Sequence, residues 1–226
     1  MEHPERLAED ITAQGYAVRA LLAPEACAQI VALYESDRAF RSRVVMARHG
    51  FGRGEYKYFS YPLPAPVARL RNTLYPPLAR LANGWAAALG QPQQFPENLA
   101  DYTARCHAAG QNRPTPLLLR YGPDDYNCLH QDIYGPLVFP FQVAILLDVP
   151  ERDFTGGEFL LVEQRPRMQS RAEVVALRQG DGVIFPVHHR PVQGARGYYR
   201  TVMRHGVSRL RSGQRHVLGI IFHDAA

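Results

Sequence analysis

Residues 117–132 read LLLRYGPDDYNCLHQD, and this stretch decides how the rest of the chain is interpreted. The apolar run 117–121 predicts a strand, and the Gly-Pro-Asp-Asp segment after it predicts a turn. The pair His130 and Asp132 closes the stretch. Because side chains alternate across a strand, the i, i+2 spacing directs both to one face. An imidazole and a carboxylate placed in this way can hold one metal ion from one side.

A second histidine from a distant strand would complete a two-histidine, one-carboxylate set, which is typical of non-heme iron sites. The downstream candidates are His188, His189, His205, His216 and His223. His205 comes at the end of an apolar run, whereas His188 and His189 precede Arg190-Pro191 in a predicted loop. His216 directly follows Arg215 and would point to the opposite face of a strand. The sequence therefore favours His130, Asp132 and His205 as metal ligands and catalytic residues.

Arg215 follows His205 by ten residues and begins the last predicted strand after a Ser-Gly turn. A guanidinium binds a carboxylate through two parallel hydrogen bonds, which a lysine cannot reproduce. An arginine inside a barrel needs an anionic partner. Arg215 is therefore predicted to bind a dicarboxylate cosubstrate. The nearby Arg204, Arg209 and Arg211 remain candidates for surface positions or substrate contacts.

The region after residue 116 has the short apolar runs of an all-β domain. Strands are predicted at 117–121, 141–147, 158–162, 173–177, 183–185, 201–203 and 216–222. Many short strands at even spacing indicate a sandwich or barrel. The predicted fold is mainly β: a double-stranded β-helix (jelly-roll or cupin-like) core over 116–226, with N-terminal helices packed on one face.

Residues 1–115 are predicted to be a helical elaboration of the same single domain, 1–226. Helices are expected at 5–14, 24–34, 65–90 and 98–109, with a short strand at 16–22. Pro76-Pro77 requires a break or kink in the third helix. Residues 40–61 mix aromatic and basic side chains with three glycines. They are predicted to form a flexible loop or hairpin outside the core, and a candidate lid over substrate.

The formal net charge is +5, and Lys57 is the only lysine among 26 basic residues. Basicity favours a nucleic-acid partner, but codon bias in a GC-rich genome would enrich arginine equally well. The odd number of cysteines (Cys27, Cys106, Cys128) fits no metal-finger spacing and favours a reduced, cytoplasmic compartment. No apolar stretch reaches the length of a membrane span, and no secretory signal is visible.

The order of these motifs resembles the 2-oxoglutarate/Fe(II)-dependent dioxygenase superfamily. The matching elements are His130-x-Asp132, Gly156-Gly157-Glu158, Gly180-Asp181 followed by Phe185, His205, and Gly213-x-Arg215. The run 126–223 more closely resembles a bacterial family of uncharacterised 2OG-Fe(II) oxygenases with a predicted role in oxidative repair of alkylated nucleic acid. The short interval from His205 to Arg215 is similar to that of prolyl-hydroxylase-like enzymes.

This resemblance implies an oxidoreductase that uses Fe(II), 2-oxoglutarate and O₂, with ascorbate as an optional in vitro additive. It implies that Arg215 binds the distal carboxylate of 2-oxoglutarate and that the hydroxyl of Tyr121 contacts the same cosubstrate. Gln142 and Asn127 are expected to support the site. Alkylated single-stranded DNA or RNA is one candidate substrate. A peptide or a small molecule is the alternative, and a non-catalytic cupin-like binding module is the least favoured.

Overall fold

The computed structural model describes residues 4–92 and 94–226. Its four α-helices are α1 (Pro4–Gln14), α2 (Pro24–Ala32), α3 (Ala65–Ala88) and α4 (Leu99–Ala108). Its strands are β1 (Ala17–Ala20), β2 (Phe40–Val45), β3 (Gly52–Arg53), β4 (Glu55–Phe59), β5 (Leu117–Tyr121), β6 (Tyr126–His130), β7 (Phe141–Leu146), β8 (Phe154–Gly156), β9 (Phe159–Gln164), β10 (Ser170–Val175), β11 (Asp181–Pro186), β12 (His189–Gly194), β13 (Gly197–Val207), β14 (Leu210–Gly213) and β15 (Arg215–Ile221).

The strands form two main antiparallel sheets. The major sheet has seven strands in the order β1-β11-β7-β15-β5-β4-β2. The minor sheet has the order β10-β9-β13-β6-β3, with β12 added beside β13, and the short pair β8–β14 lies apart from both. Apart from the hairpins β2–β4, β9–β10 and β12–β13, the paired strands of both sheets are distant in sequence, as in a jelly roll. The predicted double-stranded β-helix core with helices on one face is confirmed.

The helices cover one face of the major sheet, and the alternation of side chains along β15 shows which face this is. Leu218 and Ile220 lie in the large apolar cluster that α3 and α4 also enter. Val217 and Ile221, from the alternate positions, face the interior between the two sheets. Because this strand is apolar on both faces, it is buried on both sides. The interior face is the one that carries the candidate site.

Residues 40–61 are more ordered than the sequence predicted. Strands β2 and β4 form a hairpin, and β4 pairs with β5, so the hairpin extends the major sheet. The hairpin alternative is confirmed, but the flexible loop outside the core is wrong, since Met46 and Phe59 are fully buried. Phe59, at the end of β4, packs into the cluster under the helices, whereas Met46, in the turn after β2, packs into the interior between the sheets.

The helix α3 continues through Pro76 and Pro77, so of the predicted break or kink the break is absent. Each proline removes one backbone donor from the helix. Packing of Leu74, Tyr75 and Leu78 into the helical face of the core stabilises the helix across this point. Among the described residues, no helix is both long enough and apolar enough to cross a membrane. All three cysteines are free.

Candidate metal and cosubstrate site

His130 is the last residue of β6, and a β-bulge turns its side chain inward. His205 pairs with His130 across the sheet, but Val207 pairs with Asn127, so β6 has one residue more than β13 over this interval. Bulges of this kind commonly redirect side chains beside functional sites. The Nδ1 of His130 lies 2.7 Å from the Cys128 carbonyl oxygen. A proton on Nδ1 would donate to this carbonyl, which leaves the Nε2 lone pair free for a metal.

Asp132 lies two residues beyond the end of β6 rather than on the strand, yet its carboxylate still meets both histidines. Oδ1 lies 3.5 Å from Nε2 of His130, and Oδ2 lies 3.4 Å from Nε2 of His205. Burial by itself raises the pKa of Asp132, but its two histidine neighbours outweigh burial and hold the pKa below its usual range. The carboxylate is therefore ionised, as a metal ligand must be.

His205 lies in the middle of the minor sheet, between β9 and β6, and is buried. Its ring packs against Phe185, with centroids 4.7 Å apart, and stacks on Phe159 at 6.1 Å. Burial, together with the nearby charge of His130, lowers the pKa of His205. A neutral imidazole is the form that binds metal.

Among the described residues, these three side chains form a cluster of potential metal ligands. Their candidate ligand atoms all lie within 4.8 Å of one another. Two imidazoles and one carboxylate on one side of a common point leave the opposite side open to other ligands, which suits non-heme Fe(II). The sequence prediction that His130, Asp132 and His205 converge agrees with this geometry.

Two further side chains hold the carboxylate of Asp132. Gln142 Nε2 donates to Oδ2 at 2.9 Å and also lies 3.0 Å from Nε2 of His205, so the expectation that Gln142 supports the site agrees with the structure. Tyr134, which the sequence analysis missed, donates its hydroxyl to Oδ1 at 2.5 Å. Its i+2 spacing from Asp132 was the available signal. Burial and the Asp132 charge raise the pKa of Tyr134 well above its usual value, so the hydroxyl keeps its proton.

Arg215 is buried at the start of β15, with 2% of its surface exposed. Its Nε and Nη1 have no hydrogen-bond partner among the described residues. Only aromatic rings lie over the guanidinium, those of Tyr121 at 5.6 Å and Phe154 at 5.8 Å. An arginine without a carboxylate inside a barrel is costly. Its unpaired donors fit the carboxylate of a cosubstrate, as the sequence predicted.

Tyr121 pairs with Arg215 across β5 and β15, so both side chains enter the same space. Its hydroxyl accepts from Asn127 Nδ2 at 3.4 Å, and burial raises the pKa of Tyr121 to about 12. Gly157 makes room for the guanidinium: a Cβ there would lie 3.0 Å from the Arg215 Cδ, and its φ of +66° also favours glycine.

One cavity of about 300 Å³ contains the candidate metal ligands together with Arg215 and Tyr121. Its walls are mainly apolar and include Leu119, Phe159 and Val217. An apolar cavity with a few polar groups is the usual form of a small-molecule site. The competing histidines lie elsewhere: His216 contacts Asp148 on the opposite face of β15, and His223 is buried beside the Phe139 backbone. His188 and His189 lie against each other at the start of β12.

Solved structures of known enzymes share this fold. A prolyl-4-hydroxylase from Pseudomonas putida aligns over 99% of this chain and 100% of its own, with a TM-score of 0.54 and 11% identity. An oxidoreductase of the 2OG-Fe(II) oxygenase family from Burkholderia pseudomallei aligns over 99% and 93%, with a TM-score of 0.55 and 17% identity. At such identities the likeness concerns the fold alone, and it agrees with the predicted jelly roll.

Sequence relatives are much closer. Protein Rv2227 of Mycobacterium tuberculosis (strain ATCC 25618 / H37Rv) is 54% identical over 168 residues, which cover 74% of this chain and 72% of the relative. The model of the Oxygenase-NA family, described as an oxygenase catalysing oxidative methylation of damaged DNA, matches residues 54–225. The family resemblance and the enzyme class predicted from the sequence are thereby confirmed: this chain belongs to the Oxygenase-NA family of oxygenases.

Proposed function

We propose that this oxygenase is an Fe(II)- and 2-oxoglutarate-dependent dioxygenase that hydroxylates an alkyl carbon on damaged nucleic acid. The observation that carries the proposal is one cavity holding a two-histidine, one-carboxylate cluster together with a buried arginine whose donors lack partners. The first group would hold the metal and the second the cosubstrate. Because one apolar cluster contains residues of α1, α3, α4 and the major sheet, we also propose that residues 1–226 act as a single domain.

His130, Asp132 and His205 would hold Fe(II) through Nε2, a carboxylate oxygen and Nε2. The Cys128 carbonyl fixes the tautomer of His130, while Tyr134 and Gln142 fix both oxygens of Asp132. Partners of this kind orient metal ligands and raise metal affinity. The chain thus supplies a preformed site that needs little rearrangement when the metal binds.

Arg215 would bind the distal carboxylate of 2-oxoglutarate, with the Tyr121 hydroxyl beside it. When bound, Fe(II) and 2-oxoglutarate with O₂ supply the oxidation, and succinate and CO₂ are the products. The residues of the cavity determine where that oxidation acts. Its apolar walls exclude water and hold the target carbon near the metal ligands.

The nucleic-acid substrate is supported by the description of the family model. On an N-methylated base, insertion of one oxygen atom into a methyl C–H bond gives an N-hydroxymethyl group. That group breaks down to formaldehyde and the unmodified base. Asp132 and His205 are both buried, so the base must enter the cavity from a single strand or by flipping out of a duplex.

A peptide hydroxylase is the second candidate, because the ten-residue interval from His205 to Arg215 is similar to that of prolyl-hydroxylase-like enzymes. A non-catalytic cupin-like module is disfavoured, since the cluster and the arginine are both present in one cavity.

The test is succinate formation by the protein loaded anaerobically with Fe(II) and then exposed to O₂ and 2-oxoglutarate, with and without methylated single-stranded DNA. His130→Ala and Arg215→Ala should abolish turnover. Methylated DNA should increase succinate and release formaldehyde in equal amount. Succinate formation that is unchanged by DNA but increased by peptides would replace nucleic acid by peptide as the proposed substrate. A wild-type protein that binds no Fe(II) would overturn the dioxygenase proposal itself.

A further inference from the structure

We infer that segment 46–54, which joins β2 to β4, is a docking surface for single-stranded nucleic acid, with Phe51 stacking on a base beside the one in the cavity. This inference rests on the proposed function. Gly50 and Phe51 line the cavity, so the segment lies at its entrance. The Phe51 carbonyl oxygen accepts from the backbone N–H of Cys128 at 2.9 Å, which fixes the segment against β6.

The entrance exposes an unusual share of apolar surface. The exposed large hydrophobic side chains of the described chain are Phe51, Tyr61, Tyr126, Leu129, Ile133, Met168, Val174 and Tyr198. Half of them lie on segment 46–54 or on residues 126–133, which surround the metal ligands. Phe51 is 48% exposed and stacks with His49 at a centroid distance of 5.3 Å and an interplanar angle of 23°. A rigid exposed aromatic pair suits stacking on bases of any sequence.

The charge of the same segment is complementary to phosphate. Arg48 and Arg53 are exposed and form no ion pair among the described residues. The acidic side chain closest in sequence, Glu55, is already paired with Arg43 and Arg120. Two unpaired arginines on either side of an aromatic pair provide the alternation of phosphate and base contacts that a single strand requires. An apolar peptide would use the aromatic pair but not the arginines.

A single strand fits better than a duplex because the candidate ligands are buried. Asp132 and His205 are 9% and 7% exposed, so the reacting carbon has to pass the entrance into the cavity. A base within a duplex cannot do this without being extruded, whereas an unpaired base needs only to be unstacked. Phe51 would then replace the base that has entered the cavity as the stacking partner of the neighbouring base.

The test measures fluorescence anisotropy of a labelled single-stranded oligonucleotide of about 12 nucleotides, within the ~4–16 typical of such sites. The same strand annealed to its complement and an apolar peptide of similar length serve as competitors. Phe51→Ala should weaken binding at least fivefold, and Phe51→Trp should restore it. Tyr198→Ala is the matched control, because Tyr198 is 49% exposed outside the entrance segments and its loss should change binding less than twofold.

The double variant Arg48→Ala/Arg53→Ala should lower the slope of log affinity against log salt by about 1.4, as expected for two lost phosphate contacts on a single strand. Arg178→Ala/Arg196→Ala is its control. Equal binding by Phe51→Ala and Tyr198→Ala, preference for the duplex, or stronger competition by the peptide would overturn the inference.

Succinate formation without nucleic acid separates this inference from the proposed function. If wild type forms succinate but binds no single strand, the docking surface is wrong and the dioxygenase stands. If it binds the strand through Phe51 but never consumes 2-oxoglutarate, the docking surface stands and the oxidation is wrong. Thermal unfolding of Phe51→Ala should match that of wild type, since the side chain is half exposed.

Discussion

The two walls of the cavity are built differently. In the major sheet, every residue of β7 and β15 is buried, and the helices cover the outer face. In the minor sheet, β6 is a short bulged strand whose residues are all at least partly exposed. Arg215 belongs to the first wall and His130 to the second. Arg215, the proposed cosubstrate anchor, therefore lies in the fully buried wall, and His130, a candidate metal ligand, lies in the more exposed one.

The largest predicted effect in the wall formed by the major sheet is that of Arg215→Leu. Loss of the bidentate partner should lower kcat/KM for 2-oxoglutarate by about 10²–10³-fold. The same change removes an unpaired buried charge, so the melting temperature without cosubstrate should stay equal or rise. Enzyme kinetics measures the change in kcat/KM, and thermal unfolding measures the change in melting temperature. Arg211→Leu, at an exposed position, is the control. A large fall in melting temperature with unchanged kinetics would contradict the assigned role.

A pair of truncations compares the walls directly. Phe222→Ala, behind the major sheet at 0% exposure, should lower the free energy of unfolding by about 3–5 kcal/mol. Leu129→Ala, at 46% exposure on β6, should change it by less than about 0.5 kcal/mol. Urea denaturation measures both. Similar losses at the two positions would mean that β6 is as tightly packed as the major sheet.

A buried ion pair within the minor sheet, whose arginine also donates a hydrogen bond to α1, predicts how the fold responds to acid. Arg190 contacts Glu163 at 2.9 Å and the Thr12 carbonyl oxygen. Burial raises the pKa of Glu163, but Arg190 more than offsets it and holds the pKa below its usual value. The pair therefore stabilises the fold above the unfolded pKa of about 4.3 and is lost as pH falls through the lower folded pKa.

Glu163→Gln should accordingly lower the free energy of unfolding at pH 7 by about 3 kcal/mol. The difference in unfolding free energy between Glu163→Gln and wild type should decrease between about pH 5 and pH 3. Over this range Glu163 of the wild type is protonated and loses the charge that the variant lacks. Denaturation at several pH values measures this difference. A difference in unfolding free energy that stays constant over that pH range would show that the carboxylate charge contributes nothing to stability.

The smallest predicted effect concerns Tyr134, which supports the metal ligand between the walls. Tyr134→Phe removes one hydroxyl from Asp132 while keeping the ring in place. Affinity for Co(II), titrated into the metal-free protein, should fall about tenfold. Tyr198→Phe, on the exposed β12–β13 hairpin, should leave it unchanged. Equal affinities for the two variants would exclude a role for the hydroxyl in holding Asp132.

The sequence predicted the residues of the candidate site more accurately than the structural elements that support them. The order of motifs that resembles the dioxygenase superfamily assigned His130, Asp132, His205 and Arg215 to one site, and the structure places all four in one cavity. The bulge in β6 depends on how β6 and β13 meet, and the spacing within one segment contains no record of that register. Tyr134, in contrast, lies only two residues from Asp132, so its spacing was a signal that the prediction did not use.

The hairpin of β2 and β4 illustrates the same limit. Its arginines and aromatic residues suggested a solvated loop, but Arg43 pairs with Glu55, and Tyr58 lies under Arg41 at 4.4 Å. Pairing with β5 satisfies the backbone of β4. Composition describes the side chains available in a segment, whereas the neighbouring strand decides whether that segment becomes part of the sheet.

In the proposed role of Arg215, its unpaired guanidinium would also link the lifetime of the protein to the metabolic state of the cell. A ligand that binds only the folded form stabilises it by RT ln(1 + [L]/Kd), about 2.7 kcal/mol at one hundred times Kd. In its proposed role, 2-oxoglutarate would neutralise a buried charge that destabilises the chain in its absence. When this metabolite is scarce, a larger fraction of molecules would be unfolded and open to proteolysis. Cosubstrate supply would then set the amount of enzyme as well as its rate.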